Sequence, residues 1–178
     1  MSTDLTGGSS HADPVPAGES HQDGLRPWIG LVCRLVLGGA LIFAGATKVG
    51  SPLVAARAVQ AYQILPFDLA GYVGIALPII EIVIGALLIL GLFTRPAAIA
   101  GTFLMVVFIA GITSVWVRGI SIDCGCFGGG GTVAPGETKY AQDIARDVVL
   151  ALCGLWLILR PRTRLSVDHL LSSERTSR

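Results

Sequence analysis

Two cysteines in a short glycine-rich stretch carry the chemistry that this sequence suggests most directly. Cys124 and Cys126 flank Gly125 in the segment Asp123-Cys124-Gly125-Cys126-Phe127-Gly128. Cα atoms two residues apart are separated by at most about 7 Å, and a slight turn at the glycine brings them within the disulfide range of about 4.4–6.8 Å. So small a ring is strained, and strained, exposed disulfides exchange readily. The pattern favours an exposed thiol–disulfide exchange site, with both cysteines as the candidate catalytic residues.

Two other interpretations of the cysteine pair stay open. Two thiolates can hold a soft ion such as Cu(I), but a closed zinc site needs four ligands. Neither a second C-x-C nor a nearby histidine supplies the missing ligands, so no metal site is predicted. The pair can also be a local structural disulfide or two idle thiols.

Charged residues near the pair act on it in opposite directions. Asp123 would raise the pKa of the Cys124 thiol by like-charge repulsion, whereas Arg118 and Lys139 in the same loop would lower it. Three more charges open the next hydrophobic segment, and their usual role is to occupy a helix end. Their position predicts that they stand beside the cysteine loop; they are Asp143, Arg146 and Asp147.

The composition indicates a membrane protein. Of the 178 residues, 52% are hydrophobic and only 14% are charged, and the mean hydropathy is +0.70. A soluble domain carries about 25% charged residues. The net charge of +1 gives no argument for a nucleic-acid partner, so the partner predicted from composition is the lipid bilayer.

Hydrophobic runs predict an all-α integral membrane protein, a four-helix transmembrane bundle. Polar composition predicts disorder in the tail 1–27. The membrane domain, residues 28–160, has spans predicted at about 28–46, 69–92, 97–117 and 141–159 and a cysteine loop at 118–140. A polar cytoplasmic tail is predicted at 161–178. After the first span, Pro52–Ile64 is too short and polar to cross, so it is predicted as a surface helix.

The number of spans predicts where the cysteine loop lies. Four spans place both termini on one side of the membrane, and Arg160, Arg162 and Arg164 mark that side as cytoplasmic. The loop and the surface helix then share the extracytoplasmic face, where disulfides persist. Tyr62 and Leu65, the bulky residues near the end of the surface helix, are predicted to border the cysteines.

Two charges lie inside predicted spans. Arg34 shares a face with Gly38 and Gly45, and Glu81 shares one with Gly85, so we expect close helix packing and an Arg34–Glu81 contact. A structural ion pair is favoured over a proton or quinone site. A further two cysteines, Cys33 and Cys153, fall at similar depth about 15–20 Å from the loop; a role as small hydrophobic residues is favoured over a second redox pair.

The chain resembles the DoxX-like family, and within it the MauE branch named for methylamine utilisation. Three parts carry the resemblance over roughly residues 28–160. They are Arg34, Gly38, Phe43, Ala44-Gly45 and Lys48 with Pro52 and Tyr62–Pro66; Pro78, Glu81 and Gly85; and Asp123–Gly128. The resemblance implies a four-helix protein of the bacterial inner membrane, linked to disulfide formation in a periplasmic amine dehydrogenase alongside a thioredoxin-like partner.

Two main functional hypotheses follow, and copper handling by the cysteine pair is a weaker third. The first is a membrane thiol–disulfide oxidoreductase, or its accessory subunit, that exchanges disulfides with an extracytoplasmic thioredoxin-fold protein. No bound cofactor is predicted, and a membrane quinone is the candidate electron acceptor. The alternative is a non-catalytic membrane anchor or assembly factor for a redox complex.

Overall fold

The computed structural model describes residues 22–125, 131–134 and 138–159. These residues form five helices and one small hairpin: α1 (Gln22–Val49), α2 (Pro52–Ala61), α3 (Phe67–Leu90), α4 (Thr94–Val117), β1 (Ile122–Asp123), β2 (Gly131–Thr132) and α5 (Tyr140–Leu159). The predicted helical architecture is confirmed. The hairpin is not predicted by the sequence, because strands of two residues are too short to carry an alternating pattern.

The four long helices surround one apolar core. α1 packs against α3 and α5, and α4 packs against the same two helices. Leu37, Leu41 and Leu88 are fully buried between them. Large apolar side chains also cover the outside of each long helix, for example Phe43, Ile79, Phe103 and Leu152. An apolar surface of this extent is typical of contact with lipid.

Three of the described helices are long and apolar enough to cross a membrane, over Trp28–Val49, Phe67–Leu90 and Thr94–Val117. The chain is therefore a multi-pass membrane protein. α5 lies outside this group because Asp143, Arg146 and Asp147 occupy its start. The predicted fourth span is not confirmed.

Glycines set the distance between α1 and α3. A Cβ atom placed on Gly38 would lie 2.9 Å from the carbonyl oxygen of Gly85, and one on Gly45 would lie 2.5 Å from that of Pro78. Only glycine fits such approaches, so the predicted close packing of small residues is confirmed. The contacts also fix the antiparallel register, with Gly38 level with Gly85 and Gly45 level with Pro78.

The short helix after the first span is present, but it ends at Ala61 instead of Ile64. Gln63 follows in the left-handed region, with φ of 51°, and so breaks the helix. α2 also does more than lie on a surface, because it packs along the first half of α3. A Cβ atom on Gly74 would lie 2.6 Å from the Ala55 carbonyl oxygen, and Gln60 Nε2 donates to the Phe67 carbonyl at 3.1 Å.

Candidate functional site

Cys124 lies directly after β1, at the base of the hairpin. The strands pair Ile122 with Thr132 and Asp123 with Gly131. Gly125 then adopts φ of 70°, which confirms the predicted turn at this glycine. Its N–H donates to Asp123 Oδ1 at 3.2 Å, so the aspartate stabilises the turn. A left-handed residue next to the cysteine redirects the backbone at the point where a short disulfide ring requires it.

Cys124 is disulfide-bonded. Among the other cysteines, Cys33 and Cys153 are free thiols. Cys126 is the chain's remaining cysteine and lies outside the described residues.

The expectation of an exposed site needs correction for Cys124, which is only 7% exposed. It packs in an apolar cluster with Ile112 and Val115 of α4, Ile122 of β1 and Tyr140 of α5. Ala61 and Tyr62, at the end of α2, also pack against this cluster. The polar composition of the loop conceals this burial, because the covering side chains come from other elements.

Tyr62 contacts the cysteine loop, as predicted. Its hydroxyl donates to the Cys124 carbonyl oxygen at 3.2 Å, and a Cβ atom on Gly111 would lie 3.2 Å from its ring. Burial raises the pKa of Tyr62, and the negative charge of Asp143 adds to this, so the phenol stays protonated as a donor. Leu65, the other residue predicted to border the cysteines, is 40% exposed.

Tyr140 holds the chain before Cys124 in place. Its hydroxyl donates to the Ile120 carbonyl oxygen at 2.6 Å and accepts the N–H of Ile122 at 2.8 Å. Its ring packs against Trp116, with centroids 6.1 Å apart. Sequence reasoning missed this residue, although a tyrosine at the border between a polar loop and a hydrophobic segment is the available signal.

Arg118 has a structural role that was not predicted from the sequence. Its guanidinium donates to the carbonyl oxygens of Tyr62 and Gln63, the latter at 3.3 Å. It therefore ties the end of α4 to the end of α2. Lys139 is exposed immediately before α5, where its carbonyl oxygen accepts the N–H of Asp143 at 3.0 Å.

A second set of charged side chains lies inside the bundle. Lys48 Nζ approaches Glu81 Oε1 at 3.4 Å, and Arg146 bridges Asp143 and Asp147 at 2.9 Å each. Glu81 and Asp147 are 0% and 2% exposed. Both carboxylates and Arg146 line one small cavity, whose other walls include Leu41, Met105 and Phe108. The helix-end charges of α5 thus reach the interior and do not only border the loop.

The predicted contact between Arg34 and Glu81 is wrong, because Glu81 pairs with Lys48. Glu81 lies beside Gly45, where a Cβ atom would be 3.3 Å from its own Cβ. Arg34 is eleven residues earlier on α1, which is about 16 Å along the helix axis. An arginine side chain cannot cover that distance. The prediction estimated the depths of Arg34 and Glu81 from the expected ends of their spans. The glycine contacts between α1 and α3 show instead which residues of the two helices lie level with each other.

Cys33 on α1 and Cys153 on α5 share the same depth, as predicted, and their thiols form a hydrogen bond. Cys153 lies thirteen residues after Tyr140, or about 20 Å along α5. This pair is therefore remote from Cys124. Among the described residues, no group of three or more His, Cys, Asp or Glu side chains is arranged to hold a metal ion.

The arrangement around Cys124 fits disulfide chemistry better than acid–base or metal chemistry. It offers a bonded sulfur, a backbone held by two tyrosine hydroxyls, and an apolar wall. A comparison with protein families gives a match over residues 26–160 to the family described as methylamine utilisation protein MauE. No curated protein and no solved structure gives a significant match.

Proposed function

Since the chain belongs to the MauE family, whose members function in methylamine utilisation, we propose that it performs thiol–disulfide exchange at Cys124 and Cys126. The observation that carries this proposal is the bonded state of Cys124 at the base of an anchored hairpin. With Cys33 and Cys153 free, Cys126 is the one cysteine left in the chain to be its partner.

The exchange takes a dithiol as its reductant. A thiolate of the partner protein attacks the Cys124–Cys126 disulfide and forms a mixed disulfide with this chain. The partner's second thiolate then attacks that mixed disulfide, and the partner leaves with its own two cysteines joined as a disulfide. Two electrons pass to this chain, which ends with two thiols. The partner is an extracytoplasmic thioredoxin-fold protein, and its client is a periplasmic amine dehydrogenase. Turnover requires a two-electron acceptor, for which a membrane quinone is the proposed class.

The proposal includes a fourth span and an orientation. α5 directs Asp147 and Arg146 into the cavity, whereas Val149, Leu152 and Leu159 are exposed on its outer side. A helix that keeps its charges inside the bundle and its apolar residues outside can face lipid, as α1, α3 and α4 can. Residues 28–160 are then the membrane domain, in the bacterial inner membrane, and tails 1–27 and 161–178 are cytoplasmic.

The test of exchange uses the full chain in proteoliposomes with a reduced thioredoxin. We expect the thioredoxin to become oxidised in proportion to the chain present. The double variant Cys124→Ser/Cys126→Ser should lose this reaction, whereas the matched control Cys33→Ser/Cys153→Ser should keep it. Oxidation that persists in the first variant would overturn the proposal.

The burial of Cys124 favours one second candidate, a non-catalytic assembly factor whose disulfide only staples the hairpin. The two candidates predict different phenotypes for cells that depend on methylamine. If the disulfide is catalytic, Cys124→Ser/Cys126→Ser abolishes growth even where the protein accumulates normally. If it is structural, growth follows the amount of folded protein in the membrane.

A further inference from the structure

One cysteine of the proposed exchange site, Cys124, is enclosed by side chains from other elements. Cys124 packs in one cluster with Ile112, Val115 and Tyr140. Tyr62 packs against the same cluster, and its hydroxyl donates to the Cys124 carbonyl oxygen. Which sulfur of a disulfide is attacked depends on access, since the incoming thiolate must approach in line with the sulfur–sulfur bond.

From this enclosure we propose that a partner protein is captured on Cys126 and that Cys124, shielded by Tyr62, is the leaving sulfur. The assignment rests on the exchange function proposed above. It deepens that function by giving each cysteine a separate role and by making Tyr62 a positioning residue.

The partner's thiolate forms a bond to Cys126 Sγ, the Cys124–Cys126 bond breaks, and its electron pair leaves on Cys124, which takes up a proton. The partner's second thiolate then attacks the partner's own sulfur in the mixed disulfide. That attack forms the partner's disulfide and expels Cys126 as a thiolate. The partner loses two electrons and this chain gains two.

Tyr62 is the part of the enclosure that can be altered most selectively. The other covering residues belong to long helices or to the strand, whereas Tyr62 follows the last turn of the short helix α2. Arg118 holds its carbonyl oxygen and the hydroxyl holds Cys124. Loss of the ring should therefore open a path to Cys124 with little change in the bundle.

The first test compares two single-cysteine variants, both lacking Cys33 and Cys153, under reducing conditions in membranes. One variant keeps only Cys126 and the other keeps only Cys124. We expect a bulky maleimide to label the Cys126 variant roughly tenfold or more faster. Equal rates, or faster labelling of Cys124, would overturn the assignment.

The second test traps the mixed disulfide with a reduced thioredoxin whose own second cysteine is replaced by serine. Each loop variant is first activated as a mixed disulfide with a small aromatic thiol. Cys124→Ser should capture the thioredoxin, whereas Cys126→Ser should capture little. The opposite preference overturns the roles alone. Capture by neither variant overturns the exchange function, and the assignment with it, whatever the labelling rates are.

The third test concerns Tyr62. In the variant that keeps only Cys124, Tyr62→Ala should raise the labelling rate of Cys124, and in the Cys126-only variant it should have no effect. Tyr62→Phe keeps the ring and should change neither rate. Tyr72→Ala is the matched control, because Tyr72 is 74% exposed on α3. If Tyr62→Ala speeds both cysteines alike, or neither, Tyr62 is not the shield.

Discussion

The protein holds cysteines in two regions, and the surroundings of Cys33 and Cys153 differ from those of Cys124. Cys33 and Cys153 sit on two regular helices with their thiols in contact, and both are free. Cys124 sits in a hairpin, next to a left-handed glycine, and is disulfide-bonded. Proximity of two thiols therefore does not distinguish the regions. The difference is that the loop fixes its backbone through two tyrosine hydroxyls, whereas the interior pair depends only on helix packing.

This difference suggests a division of roles along the bundle. The hairpin region combines a disulfide with residues that hold and cover it. The interior pair is small, half-buried and packed against the apolar core through Cys33, as expected for cysteines that act as hydrophobic residues. The charged cavity lies between the two regions and should contribute to stability.

The largest expected effect is all-or-none and concerns the side of the membrane on which each region lies. In intact, reduced cells, a membrane-impermeant maleimide should label a variant that keeps only Cys126, because we place the loop outside the cytoplasm. A variant that keeps only Cys153 should stay unlabelled. Labelling of the Cys126 variant only after lysis would reverse the orientation and remove the basis for extracytoplasmic exchange.

Glu81→Gln tests the charges between the two regions. The change removes the carboxylate that neutralises Lys48 inside the bundle, and breaking such a buried pair costs about 3–5 kcal/mol. Thermal unfolding in detergent should show a correspondingly lower midpoint. Asp68→Asn is the control, because Asp68 is exposed at the start of the same helix. An unchanged midpoint for Glu81→Gln would mean that the pair does not stabilise the bundle.

Tyr140→Phe tests the anchoring that distinguishes the loop. It leaves the N–H of Ile122 buried without its partner, at a cost of about 1–3 kcal/mol. The disulfide at Cys124 should be reduced faster by dithiothreitol, as measured by timed alkylation, because the chain before it is less constrained. Reduction at the unaltered rate would show that the hydroxyl does not restrain the cysteine.

The smallest effect is the pH dependence of the Tyr62 contact. Burial raises the pKa of Tyr62, so the unfolded chain loses this proton first, above the ordinary tyrosine pKa of about 10. The contribution of Tyr62 to stability is therefore complete below about pH 10 and is lost as the pH rises further. Unfolding midpoints between pH 8 and 11 should fall less steeply for Tyr62→Phe. Parallel curves would contradict this.

Much of the scaffold could be predicted from the sequence because helical spans leave strong signals. The hydrophobic runs give four of the five helices, and the glycines at positions 38, 45 and 85 indicate the close packing of α1 on α3. The register of that packing was missed, since it depends on which glycine faces which, and so Glu81 was matched to Arg34 instead of Lys48. Composition also could not reveal that Cys124 is covered, because the covering residues Val115 and Tyr140 lie on α4 and α5 and not in the loop itself.

The most direct test of the account follows all four cysteines in one sample. The native chain in proteoliposomes is mixed with reduced thioredoxin, free thiols are alkylated, remaining disulfides are reduced and labelled with a heavier reagent, and each cysteine is read by mass spectrometry. We expect Cys124 and Cys126 to pass together from the disulfide to the thiol population as thioredoxin is oxidised, while Cys33 and Cys153 stay thiols throughout. Unchanged labels on the loop cysteines while thioredoxin is oxidised, or a change confined to Cys33 and Cys153, would contradict the account.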